Sequence, residues 1–154
     1  MRLLRNIYFL LAVVFFTFIL DRLFKNLVLN KGGFSALHDF LKINLYPNGG
    51  IALSLPASRF IIYPLIILIL IIVFYFLFLG LKKHDYLLIW GMALIFVGAS
   101  SNLIDRLRFG NVIDYLNFSG FFPVFNFADV MIVAGAGLFL LKSLGKDHLT
   151  NILE

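Results

Sequence analysis

The sequence predicts a membrane all-α fold: four transmembrane helices, a small extracytoplasmic β-element after the first, and an interfacial segment between the third and fourth. Three observations carry this. Of the 154 residues 62% are hydrophobic, and mean hydropathy is +1.00, more apolar surface than one soluble domain of this length could hide without large exposed patches. The apolar residues fall into four runs, each near the roughly 20 residues that a helix needs to cross a hydrocarbon core about 30 Å thick. The charges sit mainly beside those runs. A net charge of +5 with flanking Lys and Arg suits membrane flanks and argues against a nucleic-acid partner. With no cysteine, disulfides, thiolate nucleophiles and cysteine-based metal sites are excluded.

The chain reads as a single integral-membrane domain, 1–154, with spans at about 7–28, 60–81, 87–104 and 124–142 and a β-element at about 31–58. The first run, from Ile7, follows Arg2 and Arg5 and ends in Asp21-Arg22-Leu23-Phe24-Lys25. A basic start before an apolar run also describes a secretory leader, but no small-residue cleavage site follows, so an uncleaved helix is expected. Asp21 and Lys25 fall at i and i+4 on one helical face. Such a pair is either a helix-end ion pair worth about 0.3–0.5 kcal/mol or a polar anchor pointing into the bundle; spacing leaves both open.

Residues 31–59 interrupt the hydrophobic pattern. Leu41, Ile43 and Leu45 alternate with Lys42 and Asn44, and Ile51, Leu53 and Leu55 alternate with Ala52 and Ser54. Two period-2 segments around Pro47-Asn48-Gly49-Gly50 predict a β-hairpin. His38, alone here, reads as a surface residue. The run from Phe60 to Leu81 carries no charge, and its Pro64 falls in the first turn, where a missing N–H is tolerated. A third span from about Leu87 and a fourth from about Val124 follow; the fourth holds Ala134, Gly135, Ala136 and Gly137, small residues that permit close helix packing. Four spans put both termini on one side. Lys and Arg counts on the two sides tie, and the higher density of Arg2, Arg5, Lys82, Lys83, Lys142 and Lys146 favours that side as the cytoplasmic one.

The chemistry concentrates between Gly98 and Asp129. On the third span Gly98, Asn102, Asp105 and Arg106 form one helical stripe; on the fourth, Asn126 and Asp129 share a face. A carboxylate within a span costs a few kcal/mol if it faces lipid, so about that much favours the bundle interior or a watery pocket. Leu107–Phe125 is too short and polar to cross, and its aromatic residues, Tyr115 among them, suit the interface. This segment can return Asp114 towards Asp129. Two carboxylates held a few ångströms apart cannot both ionise, and a pair sharing a proton can activate water and polarise a carbonyl as an aspartic peptidase does, with no metal or cofactor. An all-oxygen metal site, a proton relay in a small transporter, and purely structural polar residues are the competing uses of the same carboxylates.

Five ordered motifs then resemble those of the lipoprotein signal peptidase (signal peptidase II) family: Asp21-x-x-x-Lys25, Asn48-x-Gly50-x-Ala52, Asn102-x-x-Asp105-Arg106, Gly110-x-Val112-x-Asp114-Tyr115, and Phe125-Asn126-x-Ala128-Asp129. The resemblance covers nearly the whole chain. It implies a membrane aspartic endopeptidase of the bacterial inner membrane that removes the signal peptide from prolipoproteins, cutting before a cysteine already carrying a diacylglyceryl group. On that resemblance Asp114 and Asp129 are the catalytic pair; Asn48, Gly50, Asn102, Arg106 and Asn126 bind or position substrate; and Asp21, Lys25 and Asp105 are structural. It implies no metal or cofactor, lipidated prolipoproteins and membrane lipids as partners, a monomer, and an active site near the periplasmic face. Leu53, Ser101 and Tyr115 depart from the family's usual residues, and none removes a catalytic group.

Overall fold

A computed structural model describes residues 2–31, 33–36, 40–50, 58–119 and 121–153, with the side chains of 2–6, 34, 36 and 146–153 left aside. Four long helices carry the chain: α1 (Arg2–Lys31), α2 (Arg59–Lys83), α3 (Tyr86–Phe109) and α4 (Phe127–Leu153). All four contain a stretch long and apolar enough to cross a membrane. Three strands, β1 (Phe34–Ala36), β2 (Leu41–Asn48) and β3 (Val112–Asn117), form one antiparallel sheet in the order β1-β2-β3. The first two lie between α1 and α2 and the third between α3 and α4, so the sheet gathers at a single end of the helices.

Local chemistry explains where the helices stop. The side chain of Asp85 accepts from the Leu88 N–H as the N-cap of α3, satisfying one of the donors that a helix start leaves open. At the other end Gly110 takes φ 76° and returns its N–H to the Arg106 carbonyl, a left-handed C-cap that glycine adopts without strain. A Cβ there would also lie 2.9 Å from Arg59.

The core is built around α3, on which all the other helices pack, while α1 and α4 also touch each other. Leu10 and Val14 of α1 meet Ile89 and Leu94 of α3 and Met131 of α4. Van der Waals fit rather than hydrophobicity holds helices together in lipid, and small residues make that fit between α3 and α4. A Cβ on Gly98 would stand 2.5 Å from the Ala128 carbonyl oxygen, and one on Gly135 would stand 2.5 Å from that of Gly91. Gly98 therefore belongs to the helix crossing as much as to a polar stripe. Gly137, by contrast, has nothing within 4 Å of such a Cβ, so of the two glycines in the expected small-residue patch Gly135 is the one at a backbone contact.

The β-element lies after the first helix as expected, but its pairing differs. Leu41–Asn48 is one strand through Pro47, pairing with β1 on one side and β3 on the other. Among the described residues β1 pairs with β2 only over Leu41–Ile43, so at Pro47 no described strand lies on that side to miss an N–H. The second arm expected at 51–55 lies outside the described residues, as do His38 and the Ala52-Leu53 positions. The segment after α3 contains a strand, Val112–Asn117, and its Tyr115 is fully buried. A second cluster of Val28, Ile43, Ile113, Tyr115 and Leu116 packs the sheet against α1.

Candidate active site

Asp129 occupies the first turn of α4, which begins at Phe127 rather than near Val124. Its backbone N–H donates to Asn126 Oδ1 at 2.9 Å, and its Oδ2 accepts from the Asn126 N–H at 3.1 Å. This reciprocal arrangement is a capping box, and a carboxylate there also complements the positive end of the helix dipole. Its other oxygen, Oδ1, accepts from Asn102 Nδ2 at 2.8 Å, bringing in α3.

Asp114 arrives on β3 and is buried, 3% exposed. Its Oδ1 accepts from Asn126 Nδ2 at 2.6 Å, and its Oδ2 accepts from Asn48 Nδ2 at 2.8 Å. Burial lifts its pKa from the ordinary 3.8 to about 6; the Asn48 donor opposes the rise, the charge of nearby Asp129 adds to it, and Asn126 and Lys25 pull it down. Asn126 thus touches both aspartates, and both line one cavity of about 920 Å³ with Asn48, Asn102 and Arg106. Asp114 and Asp129 are thus bridged by a single asparagine and open on the same cavity. The register explains it: β2 and β3 pair Tyr46 with Asp114 and Asn48 with Val112, which brings Asn48 over the carboxyl.

Arg106 and Asp105, neighbours in sequence, part company. Arg106 donates to the Gly50 carbonyl at 2.8 Å, on the cavity side. Asp105 turns into the bundle, where it joins a buried ionic layer: Lys25 Nζ stands 2.7 Å from Asp105 Oδ2 and 2.9 Å from Asp21 Oδ2, while Arg22 reaches Asp105 at 2.8 Å and Asp21 at 3.0 Å. Asp21 further accepts from Ser101 Oγ at 2.6 Å and from the Tyr115 hydroxyl at 3.1 Å. Burial, and then the charge of Asp21, push the Tyr115 phenol well above its usual range, so it stays a donor. Two carboxylates and two cations make the layer neutral overall, as a desolvated cluster requires. Of the two readings open for Asp21 and Lys25, the polar anchor within the bundle is the one observed.

The sequence expectations assign no role to Arg22, take Ser101 as a departure from a pattern, and read Tyr115 as such a departure and as one of the interfacial aromatic residues. Two cations within the short stretch Asp21–Lys25, at the end of an apolar run, were the signal that a second carboxylate had to meet them. Among the described residues, no group of three His, Asp or Glu side chains is arranged to hold a metal ion.

The rest of the cavity is apolar. Ile62, Leu65, Ile66 and Ile69 of α2 face Val130 and Val133 of α4 across it, with Ile95 and Ala99 of α3 between. The cleft exists because α2 lies against α3 and makes no comparable contact with α4. Its polar groups converge at the sheet end, and its walls suit hydrocarbon.

Comparison with known proteins identifies the family. A sequence profile described as signal peptidase (SPase) II matches residues 13–145. The chain belongs to the signal peptidase II family. A lipoprotein signal peptidase of Halothermothrix orenii is 35% identical over 134 residues, covering 84% of this chain and 90% of the relative. That of Desulfitobacterium hafniense is 36% identical over 136 residues, covering 84% and 88%. A solved structure described as a bacterial membrane enzyme at 2.3 Å resolution superposes with a TM-score of 0.78 at 27% identity, covering 92% of this chain and 90% of that one. A second, at 1.9 Å resolution, gives 0.73 at 28% identity, covering 90% and 94%. The protein is therefore a multi-pass membrane aspartic peptidase.

Proposed function

We propose that this chain removes the signal peptide from diacylglyceryl-modified bacterial prolipoproteins, cleaving before the lipidated cysteine, with Asp114 and Asp129 as the catalytic pair. The observation that carries this is the shared hydrogen-bond bridge: Asn126 binds a carboxyl oxygen of Asp114 and the carboxyl and N–H of Asp129 at the polar end of one cavity. Two buried carboxyls so coupled titrate as a pair and share a proton near neutral pH. One takes a proton from water as it attacks the scissile carbonyl. The other gives its proton to the carbonyl oxygen. As the tetrahedral intermediate collapses it takes a proton back from that hydroxyl, and the first aspartate passes the proton it took from water to the leaving amine. Arg106, Asn102, Asn126, Asn48 and Gly50 frame the approach of the peptide, and the apolar cleft between α2 and α4 gives the substrate's hydrocarbon a place beside the dyad.

In this reading the whole chain is one catalytic domain. It lies in the inner membrane as a monomer with cytoplasmic termini, so the sheet and dyad meet the substrate at the outer face, where the lipidated cysteine resides. Neither a metal nor an organic cofactor takes part. The test is turnover of a lipidated prolipoprotein by purified Asp114→Asn and Asp129→Asn proteins. Each should still insert and fold, with cleavage reduced by at least about a thousandfold, the scale on which loss of a proton-transfer group acts. Appreciable turnover in either folded variant refutes the dyad.

A further inference from the structure

The ionic layer beneath the dyad contains one contact that charge neutralisation does not require. Lys25 is 2% exposed. Two of its ammonium contacts are the carboxylates of Asp21 and Asp105, but the third is a neutral amide: Lys25 Nζ donates to Asn102 Oδ1 at 3.1 Å. An ammonium only donates. The oxygen of the Asn102 amide must therefore face Lys25, which turns its NH₂ group onto Asp129 Oδ1. The same Asn102 oxygen accepts from Asn126 Nδ2 at 3.2 Å, and that nitrogen also donates to Asp114 Oδ1. One cation sets the sense of two amides, and each amide presents N–H to one aspartate.

We infer that Lys25 is a positioning residue for the reaction: through Asn102 it orients the amide donors that hold the carboxyls of Asp129 and Asp114 in their working geometry. An amide flipped the other way would set an oxygen against a carboxylate oxygen and push the pair apart. Lys25 is the group in the ionic layer that contacts Asn102. Arg22 is directed at Asp21, Asp105 and the Ser101 carbonyl, and Tyr115 at Asp21 and the Phe127 N–H. The layer thus serves the site as well as the fold.

This inference rests on the dyad reading, and the test separates the two. Lys25→Met alone leaves Asp21 and Asp105 short of a cation. Lys25→Met/Asp105→Asn keeps the layer neutral with Asp21 opposite Arg22, and an asparagine at 105 can still accept from the Ile113 N–H that Asp105 now binds. The double variant should fold, with kcat down by about tenfold to a hundredfold, the scale of a misplaced catalytic group, and KM nearly unchanged. The charged groups that act with Lys25 are Asp21 from α1, Asp105 from α3, Asp114 from β3 and Asp129 from α4; Arg22 shares both Asp21 and Asp105, and Arg106 acts on Asp114 and Asp129 from the cavity side. Lys25 lowers the pKa of Asp114, so its loss should also move the bell-shaped pH–rate profile to higher pH.

A folded double variant with wild-type kcat and pH profile overturns the relay while leaving the dyad intact. Turnover by the Asp114 or Asp129 variants overturns the dyad itself. A second readout needs no variant at Lys25. In ¹⁵N-lysine-labelled wild-type enzyme, the Lys25 ammonium resonance should change position over the pH range in which activity changes, and a resonance indifferent to that change overturns the relay.

Discussion

Replacing Asp114 with asparagine should make the protein more stable at pH 8 while removing its activity. The folded pKa of Asp114 is about 6 against an ordinary 3.8. A carboxyl whose pKa rises on folding binds its proton more tightly in the native state, so native stability falls as pH rises from about 3.8 to about 6 and stays low above it. Each pH unit between the two values is worth about 1.4 kcal/mol, so ionised Asp114 costs the fold about 3 kcal/mol at pH 8. An asparagine at 114 avoids that cost. It keeps the bond from Asn126 Nδ2, but its own NH₂ would oppose Asn48 Nδ2, which now sits 2.8 Å from the carboxyl. Asn48 cannot turn over freely, because its Oδ1 accepts from the Gly50 N–H at 3.0 Å.

One hydrogen bond is thus lost, costing about 1 kcal/mol, and the net gain is about 2 kcal/mol at pH 8. For a chain of this size that corresponds to a rise in Tm of about 5 °C. At pH 4 the folded wild-type carboxyl is protonated and only about 0.6 kcal/mol of its penalty is left, so the order should reverse by about half a kcal/mol. The assay is thermal unfolding of both proteins in the same detergent at pH 8 and pH 4. An Asp114→Asn variant less stable than wild type at pH 8, or a difference that ignores pH, refutes the reasoning.

Two further predictions test other parts of the structure. Gly98→Ala places a methyl group 2.5 Å from the Ala128 carbonyl and should cost about 2 kcal/mol or more in stability, whereas Gly137→Ala, with open space around it, should be neutral or gain up to about 1 kcal/mol from helix propensity; thermal denaturation of the pair checks the contrast. Asn48→Ala removes a donor that lowers the Asp114 pKa, so the acid limb of the pH–rate profile should move to higher pH, with kcat down about tenfold, the low end of what a misplaced group costs.

What could be read from sequence and what could not divide along physical lines. The helices were visible because an unbroken apolar run needs no partner to announce itself. Asp114 and Asp129 stood out because carboxylates beside such runs are expensive. β3 was hidden for the opposite reason: Val112–Leu116 is buried at every position, so it lacks the alternation that betrays a half-exposed strand. Arg22 was missed because a stripe drawn through Asp21 and Lys25 leaves it off the face, yet its long side chain reaches back across to Asp105. The orientation of the Asn102 amide depends on an ammonium from another helix, and no local pattern encodes that.

The ionic layer also constrains how such a chain can be made. When α1 emerges from synthesis, Asp21 has Arg22 and Lys25 beside it, and the surplus positive charge has no counterpart until Asp105 follows on α3. Two helices later in the order of translation, the third span completes a balance that the first began. The N–H of Ala128, which donates to Asp21 at 3.4 Å, comes later still, next to Asp129. A nascent chain halted before the fourth helix has the scaffold charges matched but lacks the second carboxylate of the pair. On the proposed dyad, proteolytic competence arrives with the last helix, after the frame has been assembled around it.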